Sequence, residues 1–179
     1  STRYFFSQVL AAADRGVNVR LLLDGKVGGM GGSMQPVALA LAAHPNIDYR
    51  VYNPFHLLKP WQWNAVFHDK FLIADEKLML MGGRNIGDEY FALPGYEGAI
   101  TNDRDVLVYN TQWQTADTGS VIHCVKEYMD AYWQSESVSP AYDNLSRRQQ
   151  QQAAQATVEL AQTAQELAAL RPELMQPAD

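Results

Sequence analysis

A single cysteine in 179 residues leaves no internal disulfide and no cysteine metal cluster to consider. That residue, Cys124, has Val121, Ile122 and Val125 as neighbours and is expected as a packed thiol. The sequence also lacks any uninterrupted apolar run of about 18 residues, so none of its segments is suited to cross a bilayer as a helix. It does not open like a signal peptide: Arg3 and Tyr4 lead straight into an amphipathic pattern. A surplus of positive charge is missing too. Lys and Arg number 14 against 20 Asp and Glu, a formal net charge of −6. Proteins that grip nucleic acid by its phosphates carry a basic face, so this balance leans against a general DNA- or RNA-binding role while leaving room for a local basic pocket. With 47% apolar and 19% charged residues, the makeup is that of an ordinary globular domain with one real core.

What is present begins with periodicity. Residues 4–13 carry Phe5, Val9 and Ala12 at helical spacing and stop at Asp14-Arg15-Gly16. Residues 17–23 form a β-branched and leucine-rich run of strand length, closed by Asp24-Gly25. A glycine-rich loop covers 25–32, Ser33 is placed to cap a helix reaching about Ala43, and residues 47–52 have strand character. Helix, strand, helix, strand at this spacing is the pattern of an α/β sheet with crossover helices. Such a unit normally opens with a strand for its first helix to pack on. Here a helix comes first, so the sheet is expected to lack its first strand.

Further along, residues 66–74 and 78–81 are expected as two strands of a hairpin turning at Asp75-Glu76-Lys77. Residues 105–109 make a further short strand, and 112–133 a long helix with Val121, Val125, Tyr128 and Tyr132 on one face. Composition then shifts. Residues 146–170 are rich in Gln and Ala, with sparse Val158, Leu160, Leu167 and Leu170. Helix propensity there is high but the apolar stripe is thin, which predicts a linker helix leaving the domain. The expected organisation is a catalytic half-domain over residues 1–140, incomplete at its N-terminus, and a Gln/Ala-rich linker helix over 141–179 leading to an absent second half.

The stretch that carries chemistry is Phe67-His68-Asp69-Lys70-Phe71-Leu72-Ile73-Ala74-Asp75, followed by Gly82-Gly83-Arg84-Asn85. On an extended chain, residues two apart face the same way, so His68 and Lys70 project together about 7 Å apart. An imidazole beside an ammonium suits an anionic ligand. Two adjacent glycines, Gly82 and Gly83, let backbone amides approach closely, and Asn85 adds a neutral donor. A nucleophile, a cation, open backbone and an amide together describe a phosphate site. Taken singly each piece is weak, since a lone His-x-Lys on a strand is common and a Gly-Gly pair is more often just a tight turn. The joint spacing gives the signal.

That spacing resembles the phospholipase D superfamily. His68, Lys70 and Asp75 fit its His-x-Lys-x4-Asp motif, and Gly82 to Asn85 falls where the family has a Gly-x-x-Asn element. The continuation to Tyr90 is similar to the first of the two such motifs in bacterial cardiolipin synthases, and the likeness covers roughly residues 1 to 135. The resemblance implies an α/β fold, a mixed sheet flanked by helices. It implies that His68 attacks phosphorus and forms a phosphohistidine. Lys70 and Asn85 would hold the non-bridging oxygens, with Gly82, Gly83 and Arg84 lining the substrate side. Asp105 would bond the other ring nitrogen of His68, with Asp103 as its rival. Asp75 belongs to the motif, but its odd offset from His68 and its place in a turn argue that it orients rather than reacts. Gly83 departs from the family, where many members carry a hydroxyl residue. Arg84 is open to two readings, a second pocket cation or a solvent-facing side chain.

The same resemblance implies that no metal or other cofactor is needed. It also implies that two motifs must meet, one histidine attacking and the other protonating the leaving group. One motif is present, so the expected partners are a second catalytic half of the same parent or a homodimer mate. His56 lies in the loop before the motif and is not placed to serve as the second histidine; His44 and His123 have no metal-like neighbours in sequence. Phe55, Leu57, Leu58, Trp61 and Trp63, with Lys59, suit a membrane interface or simply pack their loop. The function implied is phosphodiester transfer on phospholipids, of the phosphatidyltransferase or phospholipase D type, by a bacterial enzyme peripheral to the inner membrane. The alternative is a nuclease of the same superfamily, although acidic charge and the aromatic stretch favour lipid and make nucleic acid an unexpected partner.

Overall fold

The computed structural model describes residues 1–26, 30–54, 64–92, 95–115 and 119–172. The aromatic and basic loop at 55–63, with His56, lies outside these residues, as does part of the glycine-rich loop. The described elements are α1 (Thr2–Asp14), β1 (Val19–Asp24), α2 (Gln35–Ala43), β2 (Ile47–Tyr52), β3 (Phe71–Ala74) and β4 (Leu78–Gly82). They continue with α3 (Asp88–Phe91), β5 (Asp105–Tyr109), α4 (Val121–Trp133), β6 (Val138–Pro140) and α5 (Arg147–Leu170).

Among the described residues the strands form two three-stranded sheets rather than one. In the first, β1 and β2 run parallel from Val19↔Ile47 to Asp24↔Tyr52, and β6 adds antiparallel to β2. Parallel neighbours need a crossover, and α2 supplies it, with Val37 to Leu41 buried. The second sheet is an antiparallel meander, β3-β4-β5, with registers running from Phe71↔Met81 to Ala74↔Leu78 and from Leu78↔Tyr109 to Gly82↔Asp105. The hairpin turns where expected: Asp75 and Glu76 both take positive φ (52° and 54°), and Lys77 N–H closes the turn on Ala74 O at 2.9 Å. Leu72, Leu80 and Leu107 form one cross-strand row on this sheet, and all three are exposed.

The main core lies on the parallel sheet. Phe6, Leu10 and Ala13 of α1 pack with Val37, Ala38, Ala40 and Leu41 of α2 and with Ile47 and Tyr49 of β2. Burial there pushes the Tyr49 hydroxyl up to about 12, with Tyr142 adding to the shift. Helix α5 closes the same core. Ala156 and Leu160 belong to it and Ala153 is buried as well. The Gln/Ala-rich helix is therefore not a spacer leaving the domain, as its thin stripe suggested: small residues let it sit close against α1 and α2, so a narrow stripe suffices. Its start is fixed by a capping box between Ser146 and Gln149.

Other boundaries differ for local reasons. Ser33 does not cap α2; it lies in a 3-10 turn, Gly32–Met34, and the α-helix begins at Gln35 with Pro36 in its first turn. Helix α4 starts at Val121 because the Ser120 side chain accepts from His123 N–H. Its inward face is Ile122 and Trp133, eleven residues and so three turns apart, not the Val121–Tyr132 stripe. Cys124 lies on the other side of the helix and is exposed. Residues 66–70, expected as strand, carry no ladder, and β3 begins only at Phe71.

If α5 is part of the core, Leu160→Ala should destabilise the chain by about 2–4 kcal/mol, as truncation of a fully buried leucine does. Chemical denaturation measures this. A change under about 0.5 kcal/mol would mean that α5 stands apart from the core.

Candidate active site

The site is built on an extended segment held by its alternate residues. Ala65 O accepts from Asn53 Nδ2 (2.8 Å) and from Lys26 Nζ (2.9 Å). Phe67 N–H donates to Asp24 Oδ2 (2.7 Å), while Asp24 Oδ1 accepts from Lys26 N–H (2.8 Å). The Phe67 ring sits against Tyr52 and Tyr132, with centroids 5.7 and 5.4 Å away. Asp69 Oδ2 accepts from the Tyr128 hydroxyl at 2.7 Å, a bond that holds that phenol above its ordinary pKa. Residues 65, 67 and 69 are thus tied to the scaffold. His68 lies between the tied residues Phe67 and Asp69 and is exposed.

Buried Asp24 and Asn53 anchor this arrangement from the C-terminal ends of β1 and β2. Asn53 takes φ +47°, a left-handed conformation that asparagine tolerates better than most residues. Neither residue was singled out as functional from sequence. The signal available was a polar residue at the C-terminal end of each parallel strand, the end of an α/β sheet where ligands gather.

Three strand ends meet at one edge of the second sheet. Gly82 N–H donates to Lys70 O at 3.1 Å, and Gly82 pairs with Asp105 across the ladder. A Cβ on Gly82 would overlap the Asp105 carboxylate and lie 2.7 Å from Arg104 O. At Gly83 the three atoms nearest an added Cβ all belong to the Asp103 carboxylate. The glycine pair therefore makes room for two acidic side chains. Arg84 is half-buried and paired: Nη2 donates to Asp103 O at 2.8 Å, and Nε lies 3.3 Å from Asp105 Oδ2. Asn85 is exposed, its Nδ2 donating to the Tyr90 hydroxyl at 3.1 Å. Lys70 folds back so that Nζ donates to His68 O at 2.7 Å.

The structure thus brings Lys70, Gly82, Gly83, Arg84, Asp103 and Asp105 together, with His68 just beyond Lys70. Asp105 has Arg84 as its ion partner, and among the described residues no hydrogen bond joins it to His68. Asp75 lies at the opposite end of β3, five residues from Lys70 and so about 17 Å away. It shapes the hairpin through its left-handed backbone.

Residues 1–117 match the family model described as "Cardiolipin synthase, PLD-like domain". The chain belongs to this family. A relative from Escherichia coli K12, Cardiolipin synthase C, is 37% identical over 149 residues, covering 78% of this chain and 28% of its own length. An uncharacterised protein of Helicobacter pylori strain 26695 is 32% identical over 146 residues, covering 74% of this chain and 26% of its own. The chain therefore spans little more than a quarter of these relatives. No solved structure matches it. Among the described residues no helix is long and apolar enough to cross a membrane.

The two glycines of this PLD-like domain should respond differently to substitution. Gly82→Ala forces backbone apart between β4 and β5 and should cost about 1–3 kcal/mol. Gly83→Ser first meets the movable Asp103 carboxylate and should change stability by less than about 1 kcal/mol. Thermal melts of both variants test this. Equal losses would show that the glycines are not filling distinct spaces.

Proposed function

We propose that the enzyme containing this chain transfers phosphatidyl groups between alcohols, with His68 as the covalent nucleophile. The observation that carries the reading is the presentation of His68 on an anchored, exposed segment beside Lys70 and Gly82, in a chain of the cardiolipin synthase family. His68 attacks phosphorus, the P–N bond forms, and the donor lipid's alcohol leaves, taking a proton from a general acid opposite. An acceptor alcohol then gives up its proton and attacks the phosphohistidine, which breaks the P–N bond and frees His68. Water as acceptor would make the same steps a phospholipase D reaction. Lys70 and Asn85, released from His68 O and the Tyr90 hydroxyl, would offset the charge that builds on the non-bridging oxygens. Asp103 or Asp105 would fix the imidazole tautomer once Arg84 yields the carboxylate.

This chemistry needs a second histidine and a second cation. We assign both to the rest of the parent protein or to a second copy of the chain, with the joined site working at a membrane surface. General acid help is worth about 10²- to 10⁴-fold, so one half alone should turn over very slowly.

His68→Asn in the full-length protein should abolish product formation from phosphatidylglycerol and phosphatidylethanolamine and remove the acid-labile phosphate adduct from the trapped enzyme. The melting profile should not change. Retention of more than about a tenth of the activity would rule out a covalent role, since losing such a nucleophile costs far more. Cleavage of a nicked plasmid in place of lipid would move the protein to the nuclease branch.

A further inference from the structure

The residue between the motif's histidine and lysine has no part in the chemistry above, yet its contact is specific. Asp69 takes a 2.7 Å hydrogen bond from Tyr128, 59 positions away in the middle of α4. The Tyr128 ring in turn packs edge-on against Tyr132 with centroids 4.8 Å apart, and Tyr132 meets Phe67 at 5.4 Å. One helix face therefore holds both immediate neighbours of His68, Phe67 by ring contact and Asp69 by hydrogen bond. Between Phe67 and Phe71 there is no strand ladder to do this.

We propose that Tyr128 is a positioning residue for phosphoryl transfer, acting through Asp69 to fix the pitch of the His68 backbone. The mechanical argument is short. A segment without ladder bonds turns freely about its own axis unless side chains on one flank are tied down. Phe67 sets one flank residue on the N-terminal side of His68. On the C-terminal side, Lys70 O is held by Gly82, while the His68–Asp69 peptide is tied through His68 O to the Lys70 ammonium alone, a tie that is lost when Lys70 turns to phosphate and leaves that peptide free to rotate. The Tyr128 bond removes that freedom. Its loss should misdirect the imidazole while leaving lipid contacts untouched, and displacements of about 1 Å cost about 10²-fold in rate. This rests on His68 being the nucleophile.

The test is a double-mutant cycle in the full-length enzyme: Tyr128→Phe, Asp69→Ala, the two combined, and Asp69→Asn, with His68→Asn as reference. Tyr128→Phe and Asp69→Ala should each lower kcat by about ten- to a hundredfold, with the KM for phosphatidylglycerol within about twofold. The double variant should be no worse than either single one. Asp69→Asn keeps an oxygen that can accept from the phenol, and should recover most of the loss. If His68→Asn is inactive while Tyr128→Phe keeps wild-type kcat, the positioning role is overturned and the nucleophile stands. Additive losses, or a rise in KM with kcat unchanged, also overturn it. If His68→Asn remains active, the nucleophile assignment falls and the positioning role falls with it.

Discussion

The carboxylate of Asp24 decides where the motif lies. It ends β1, is almost fully buried, and accepts from the backbone of Phe67, 43 residues on. A buried carboxylate must be matched by donors, and here those include backbone amides of Lys26 and Phe67. An amide has one geometry to offer, so the bond fixes chain direction as well as position. The parallel sheet thereby dictates the course of a segment that belongs to no sheet. Asn53 does the same from β2, one strand over, through Ala65.

Helix α4 supplies the second constraint, this time through charge. Arg20 of β1 pairs with Asp130, Asp130 with Lys126 at 3.2 Å, and Lys126 with Glu76 of the β3–β4 turn at 3.5 Å. Glu76 also meets His123 at 3.3 Å. The string runs from the first sheet to the second along one helix. The hydrogen bond from Arg20 holds Asp130 below the usual carboxylate range, and Asp130 in turn holds Lys126 above the usual ammonium range. Its members are part-exposed, so each link contributes little and the geometry comes from their number. At the C-terminal end of α4 the guanidinium groups of Arg20 and Arg50 lie 4.3 and 4.7 Å from the Trp133 ring centroid, a denser anchor than any single pair.

Much of this was legible in the sequence where one local rule dominated. Residues 47–52 and 105–109 are strands as expected, and the hairpin turns at 75–77, where Asp75 tolerates its positive φ better than Glu76 does. The motif's Lys70, Gly82 and Asp105 fall at one end of the second sheet. The errors came where a distant contact overrode a local signal. Residues 66–70 look like strand in composition, but their backbone partners are the Asp24 carboxylate and the end of β4. Helix α5 looks solvated along its length, yet Ala153, Ala156 and Leu160 are enough for a tight seat. Arg84 could not be assigned in advance because its fate depends on β5, some twenty residues on, lying next to Gly82. Asp105 stands at the start of the strand expected for it, with Arg84 as its ion partner.

The exposed row of Leu72, Leu80 and Leu107 bears on how the chain behaves in water. It crosses all three strands of the second sheet, and β5 at one edge also exposes Val106 and Tyr109. An edge strand with apolar side chains on both faces is a template for another strand. Nothing charged interrupts β5 after Asp105, so electrostatic repulsion offers no guard along its outer edge. Among the described residues this edge belongs to a strand that carries one of the candidate acids at its first position, and a lysine or proline further along it would remove the template without touching the core.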